Sequence, residues 1–140
     1  MKTSKSKKIS EILNRYNDFS ECIINDILFR NFGTSISIDL LYIYSENGQI
    51  FRAQDDYRKI RINFNLVQKF ILNNFLNSSI CTIPSNINWG INEISLMQIK
   101  NEDSILEPFK YLPLEFSHLE ILWENDRRID LVFHEFEIIE

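Results

Sequence analysis

The C-terminal stretch from Ser117 to Glu140 constrains the fold most, because it holds the densest alternation of apolar and polar residues in the chain. Two alternating runs, 119–123 and 129–133, flank the polar triplet Asn125-Asp126-Arg127. Alternation with a period of two is typical of strands, and a short polar stretch between two such runs is typical of a turn. The pattern therefore predicts a β-hairpin.

The register of this hairpin follows from requiring one apolar face, since a slip of one residue would send every side chain to the opposite face. A three-residue loop at 125–127 meets the requirement, with Trp123 opposite Ile129 and Leu119 opposite Phe133. This register predicts that Trp123 is buried. It places a set of polar residues together on the other face: His118 opposite His134, with Glu120, Glu124 and Asp130.

The apolar phase shifts after His134 to Phe136 and Ile138. Such a shift predicts either a bulge near Glu135 or a strand end that is buried on both sides.

The first half of the chain combines helical and strand patterns. Helical spacing predicts a helix from about Lys7 to Asn31, either continuous or broken near Asn17, where Asp18 and Glu21 match a capping box. Alternation predicts a strand from Ile36 and a third strand from Arg58 to Phe64. Between them, Asn47-Gly48 predicts a tight hairpin turn that pairs Tyr44 with Phe51 and Tyr42 with Ala53.

The middle of the chain predicts a helix after Asn65 that ends near Leu76, and a central strand over 91–99 that is buried on both faces. A loop follows from Glu102 to Pro113, with one helical turn at Ser104 to Leu106. The element order predicts an α+β fold, with N-terminal helices and one further helix packed on a mainly antiparallel, curved sheet of about six strands.

Length and composition fit one globular domain over residues 1–140, in which residues 1–6 form a flexible charged tail. The basic N-terminus has no apolar segment of the signal-peptide kind, and no apolar run approaches the ~18 residues of a membrane helix. Cys22 and Cys81 lack metal or redox spacing. We therefore expect a cytoplasmic protein that does not bind a membrane.

The charge is distributed unevenly along the chain. The net charge is −5, yet residues 101–140 carry three Lys or Arg and eleven Asp or Glu. An acidic C-terminal third argues against a nucleic-acid partner and for a basic protein partner. The simpler alternative is that these carboxylates form the solvated face of the terminal strands.

The sequence contains no motif that specifies a reaction. Glycine-rich phosphate loops, GxSxG and HExxH are absent. His118 and His134, with Glu120 and Asp130 nearby, have the chemistry to hold zinc or to act as a general base, whereas the simpler interpretation is two exposed histidines. We predict no catalytic residue, no bound metal and no cofactor.

Two functions follow as hypotheses. The first is a non-enzymatic, acidic protein-binding module, similar in general character to the bacterial immunity proteins that neutralise a basic toxin. Its partner-binding residues would be Glu120, Glu124, Asp126 and Asp130, and changing all four to amides would slow association without affecting folding. Buried anchors would come from Trp89, Tyr111 or Phe136. The alternative is a cryptic enzyme or small-ligand domain with a pocket between helices and sheet.

Overall fold

The computed structural model describes residues 4–45, 48–50, 56–73, 93–100, 104–123 and 127–140. Within these ranges the chain forms one α-helix and eight strands, and all of the strand pairs are antiparallel. The elements are α1 (Ser4–Arg15), β1 (Ile23–Arg30), β2 (Ser35–Tyr42), β3 (Arg58–Asn65), β4 (Lys69–Asn73), β5 (Ile94–Lys100), β6 (Ser117–Trp123), β7 (Arg128–Phe133) and β8 (Glu135–Ile139).

The strands form two four-stranded sheets. Sheet I has the order β1-β2-β3-β8, and sheet II has the order β4-β7-β6-β5. Apolar side chains from both sheets and from α1 belong to one core, which is the arrangement of a two-layer sandwich. The fold is therefore a single domain with mostly antiparallel β structure, and the predictions of about six strands and several helices are only partly correct.

The C-terminal stretch supplies the two central strands of sheet II, β6 and β7, and one edge of sheet I, β8. Its chain leaves β7 at His134 and enters β8 in the other sheet, so the inward-facing side chains change from Phe133 to Phe136. The ring of Phe64 lies 4.9 Å from that of Phe133 and 5.6 Å from that of Phe136, which joins the two sheets. The phase shift after His134 is thus a crossing between sheets.

The register of the hairpin differs from the prediction by two residues. Ile121 pairs with Ile129 and Leu119 with Leu131, so the expected pairing of Trp123 with Ile129 is wrong. A shift of two residues keeps every side chain on its predicted face. Trp123 is accordingly buried, as predicted.

The second half of the predicted N-terminal helix is instead strand β1. Its pairing with β2 is irregular between Ile24 and Asp26. A bulge at that point inserts one residue and lets Ile24 and Ile27 both approach the core, with a spacing that resembles that of a helix. Helix α1 ends at Arg15, and it includes Ser4 to Ser6, which the sequence assigned to a flexible tail.

Two other predicted elements also differ. The stretch expected to be a helix after Asn65 contains β4, which pairs with β7, and Leu66 precedes it with a positive φ of 52°. The strand expected at the centre of a sheet, β5, is outermost among the described strands of sheet II. Its pairing shifts between Ile94 and Leu96, which explains why apolar residues occur at both parities.

The inward faces of β2 and β3 are confirmed, because Ile36, Ile38, Leu40, Tyr42, Ile60, Ile62 and Phe64 are all buried. Gly48 has the positive φ of 76° expected of a tight turn. The predicted register at this turn is wrong, since Tyr44 bridges Ile50 and Tyr42 pairs with Arg58. Phe51 and Ala53 lie outside the described residues.

The outer face of sheet II is partly covered by the segment after β5. Leu106 and Phe116 pack with Val132 in a second, smaller apolar cluster. The predicted helical turn at Ser104 to Leu106 corresponds to a turn that continues into the 3-10 helix Glu107–Phe109. No helix in the described part of the chain is long and apolar enough to cross a membrane.

Candidate functional site

The outer face of sheet II carries a row of polar side chains, here called the outer network: Gln98, His118, Glu120, Arg128 and Asp130. Gln98 pairs with Glu120 across β5 and β6, and Glu120 pairs with Asp130 across β6 and β7. Because residues opposite each other in a sheet share a face, the pairing brings these three side chains side by side.

Short hydrogen bonds connect the outer network. His118 Nε2 lies 2.6 Å from Asp130 Oδ1. Arg128 donates from Nε to Asp130 Oδ2 at 2.8 Å and from Nη2 to Asp130 Oδ1 at 3.0 Å. Its Nη2 also lies 2.7 Å from Glu120 Oε2, and Gln98 Nε2 donates to Glu120 Oε1 at 2.9 Å.

Both carboxylates of the outer network are buried, with Glu120 3% and Asp130 5% exposed. Burial alone would raise the pKa of Asp130, but the hydrogen bonds from Arg128 and His118 outweigh it and hold that pKa below its ordinary value. The carboxylate therefore stays ionised at neutral pH, and its charge is compensated inside the protein.

This geometry corrects the expected acidic patch. Glu120 and Asp130 share a face as predicted, yet they are buried and paired and do not project into solvent. Glu124 and Asp126 lie outside the described residues. Tyr111 is exposed and Phe136 packs against the core, whereas Trp89 also lies outside the described part.

The two histidines are separated. His118 pairs with Val132 and is fully buried beside Asp130, so the expected pairing with His134 is wrong. His134 lies at the crossing between the sheets, where its Nδ1 is 2.7 Å from the Glu115 carbonyl oxygen and 2.9 Å from Lys5 Nζ. Depending on its tautomer, Nδ1 donates to the carbonyl or accepts from the ammonium. Within the described ranges, no three His, Cys, Asp or Glu side chains are placed to hold a metal ion.

A groove of about 430 Å³ lies between α1 and β5, and we call it the α1/β5 groove. Its lining residues are Ser10, Glu11, Leu13, Asn14, Asp18, Leu96, Met97, Gln98 and Ile99. Leu13, Met97 and Ile99 are buried core residues, whereas Glu11 is exposed and Asp18 is half-buried. The groove thus has an apolar floor and two carboxylates, and none of these described lining residues is basic.

The turn that carries Asp18 has an unusual backbone. Asn17, Asp18 and Phe19 have φ values of 55°, 52° and 52°, which is the left-handed region. For a residue with a side chain this conformation costs roughly 1–2 kcal/mol. No helix starts at Asp18, so the predicted capping box is wrong.

Packing holds this strained turn in place. Phe19 is fully buried, stacks on Tyr16 at 5.2 Å and meets Tyr42 edge-on at 5.9 Å. Asn17 Nδ2 donates to Tyr42 Oη at 3.2 Å. Strained residues persist only where their surroundings fix them, and they cluster at functional sites. The α1/β5 groove is therefore the candidate binding site.

Sequence reasoning missed the groove because its residues come from two distant stretches, 10–18 and 96–99. The acidic side chains that line it belong to the first hundred residues, where basic residues outnumber acidic ones. The one sequence signal was the polar stretch Asn17-Asp18, which also matched a capping box.

Comparisons with known proteins establish the fold alone. No protein-family model matches the chain, and no curated protein matches it either. The fold is similar to the crystal structure of an uncharacterized protein from Neisseria gonorrhoeae, with a TM-score of 0.52 and 11% sequence identity over 87% of this chain and 93% of that chain. A likeness at this identity carries no information about function.

Proposed function

We propose that this protein is a non-enzymatic module that binds a basic protein partner and receives a lysine or arginine side chain in the α1/β5 groove. The observation that carries the proposal is the combination of an apolar floor and two carboxylates in that groove. Lysine and arginine have an apolar stem and a cationic head, so each needs both kinds of surface.

The groove offers these two surfaces close together. Leu96, which is half-buried, and Ile99, which is 8% exposed, would pack against the stem of the bound side chain. Glu11 and Asp18 would accept hydrogen bonds from its head, and such charge-assisted bonds are stronger than neutral ones. An arginine would use its planar donors toward both carboxylates, which favours it over lysine.

The fixed conformation of Asp18 supports a recognition role. Because the neighbouring Phe19 and Asn17 are anchored by Tyr42, the backbone that carries the Asp18 carboxylate would not need to be reordered when a ligand binds. A group that is already ordered contributes more net affinity than a mobile one. This gives the strained turn a physical use.

The net charge of −5 would assist encounter with a basic partner. Toxin-neutralising proteins of the immunity type bind basic toxins in this manner, and we propose that class of function here. Opposite charges raise the association rate more than they raise the final affinity, so the rate would fall as salt is added.

The groove also favours the second hypothesis, a small-ligand domain with a pocket between helix and sheet. Its volume of about 430 Å³ lies within the range of small-molecule sites. The ligand would then be a free organic cation such as an amine or a guanidine. The two candidates differ in whether the rest of a protein partner contributes to binding.

A titration monitored by NMR distinguishes them. An arginine-containing peptide, its acidic counterpart of the same length and free arginine amide are added to the 15N-labelled protein. Saturable shifts at Glu11, Asn14, Asp18 and Gln98 with the basic peptide, tighter than with arginine amide, support a protein partner. Equal affinity for arginine amide supports a small ligand, and shifts that avoid these residues contradict both.

A further inference from the structure

We propose that β1 is a self-association edge at which two copies of this chain pair antiparallel about a twofold axis through Leu28. β1 is outermost among the described strands of sheet I, and Asn25, Asp26, Phe29 and Arg30 are exposed along it. The outer edge of such a strand offers backbone groups to another strand. This inference is independent of the groove.

The backbone of β1 indicates which residues face the open edge. The Ile27 N–H donates to Asp26 Oδ1 at 2.9 Å. In an antiparallel sheet, neighbouring residues direct their N–H and C=O groups to opposite sides of the strand. Since the Ile27 N–H is bonded to a side chain, the backbone N–H and C=O groups of Ile27 and Phe29 point to the open edge. Those of Asp26, Leu28 and Arg30 point toward β2.

A twofold axis at Leu28 lets the edge-facing backbone groups of Ile27 and Phe29 all form hydrogen bonds. It places Ile27 opposite Phe29 of the second copy, where the two residues exchange both of their backbone hydrogen bonds. It also places Asp26 opposite Arg30 of the second copy. When the Ile27 N–H joins the ladder, the Asp26 carboxylate is released to meet that arginine.

The local geometry limits the pairing to these residues. The bulge between Ile24 and Asp26 interrupts the regular strand, so β1 is regular from Asp26 to Arg30. Ile23 is already bridged to Glu93 of its own chain. The five regular residues are centred on Leu28 and are the ones that this register pairs.

Charge complementarity selects a second copy as the occupant. Asp26 lies beside Asp39 across the β1–β2 pair. Arg61 donates to Asp39 from Nε at 2.7 Å and from Nη2 at 3.0 Å. Arg61 is thus engaged by Asp39, and Arg30 of the second copy would bring a positive charge to Asp26. By symmetry the ion pair forms twice.

Apolar surface is buried by the same pairing. Phe29 is 56% exposed and meets Phe70 of sheet II at 5.1 Å between ring centroids. Ile27 and Phe29 share the inner face, so Ile27 of one copy would lie beside Phe29 of the other. Phe29 would then be covered from both sides.

Sedimentation velocity over about a hundredfold range of concentration tests this interface, because the dimer fraction follows mass action. We expect the unmodified chain to dimerise as concentration rises. Asp26→Arg and Arg30→Glu should each remain monomeric, since each places like charges opposite one another at both ends. Mixed in equal amounts, the two variants should form a heterodimer, because both ends then carry opposite charges.

Asp56→Arg serves as the matched control, since Asp56 is exposed and lies outside β1. It should dimerise like the unmodified chain. Circular dichroism confirms that each variant folds. The double variant Asp26→Asn, Arg30→Gln replaces any variant that does not fold, and it should dimerise more weakly than the unmodified chain because both ion pairs are lost. An unmodified chain that stays monomeric throughout overturns the proposal, as do single variants that dimerise normally or a mixture that stays monomeric.

Discussion

His118 and Asp130 form a buried hydrogen bond of 2.6 Å between Nε2 and Oδ1, on the face of sheet II that points away from the main core. Arg128 donates to the same carboxylate with two nitrogen atoms. A polar network that is fully paired specifies a structure, whereas removal of one member deprives its direct partners of hydrogen bonds. Glu120 and Asp130 therefore act first in folding.

Asp130→Asn should lower the free energy of unfolding by about 2–4 kcal/mol, because it leaves His118 and Arg128 without their shared carboxylate. The estimate lies below that for a fully buried pair, since the Arg128 side chain is 39% exposed. Urea unfolding measures the change. Glu137→Gln on the exposed face of β8 removes the same charge and should change stability by less than about 0.5 kcal/mol.

The fourfold change of Glu120, Glu124, Asp126 and Asp130 to amides should also destabilise the protein, in contrast to the expectation from sequence. Two of these residues are buried and paired with Arg128. The urea midpoint of this variant should lie at or below that of Asp130→Asn. A variant as stable as the unmodified chain would show that the outer network contributes little.

Acid should weaken the protein through Asp130. The pKa of this carboxyl lies below its usual value of 3.8, because hydrogen bonds from Arg128 and His118 outweigh the effect of burial. A carboxyl whose pKa is lower in the folded protein than in the unfolded chain stabilises the fold at pH values above its unfolded pKa. This stabilisation is lost as the pH falls through the folded pKa. Stability measured from pH 5 downward should therefore fall less steeply in Asp130→Asn. Parallel curves for the two proteins would contradict this linkage.

Cys22 should be inert in the folded protein. It is fully buried, and burial raises the pKa of its thiol to about 11 despite a backbone hydrogen bond at Ile43 that acts in the opposite direction. The thiolate is the reactive form, so Ellman's reagent should modify Cys22 only on unfolding. A Cys81→Ser background isolates the signal of Cys22.

The free energy of unfolding should also fall as the pH rises from 9 toward 11, because over this range the Cys22 thiol ionises only in the unfolded chain.

Trp123→Ala should cost roughly 3–5 kcal/mol through lost burial and the remaining cavity. The indole is 6% exposed, and the Arg127 guanidinium lies 4.0 Å from the centre of its ring. In a Trp89→Phe background, the emission of Trp123 should be blue-shifted and poorly quenched by acrylamide. Red-shifted, readily quenched emission would contradict the burial of this side chain.

Local patterns predicted the strands but not their distribution between two sheets. Alternation identified β2, β3, β6 and β7 and their inward faces, because a half-buried strand imposes a period of two. Alternation does not indicate which sheet a strand joins. The shift near Glu135 therefore predicted a bulge or a strand end buried on both sides, whereas the chain crosses from β7 to β8 there.

The false helices have a different cause. In β1, the irregular pairing between Ile24 and Asp26 produced an apolar spacing that matches a helix. The candidate site escaped prediction because α1 and β5 meet only in the folded chain. The distribution of charge along the sequence pointed to the wrong carboxylates. Glu120 and Asp130 are paired with Arg128 in the fold, whereas Glu11 and Asp18 line the groove.

The affinity of the arginine-containing peptide for a Glu11→Gln, Asp18→Asn variant tests the proposed function most directly. Asparagine tolerates the left-handed backbone at position 18, so this variant should fold normally. Glu135→Gln with Glu137→Gln removes the same charge from β8 and serves as the control. By calorimetry at low salt, the groove variant should bind at least about tenfold more weakly than the unmodified chain, a loss of ~1.4 kcal/mol, and the control should bind nearly as well. Equal weakening in both variants would mean that only net charge matters, and unchanged affinity in the groove variant would contradict the proposed site.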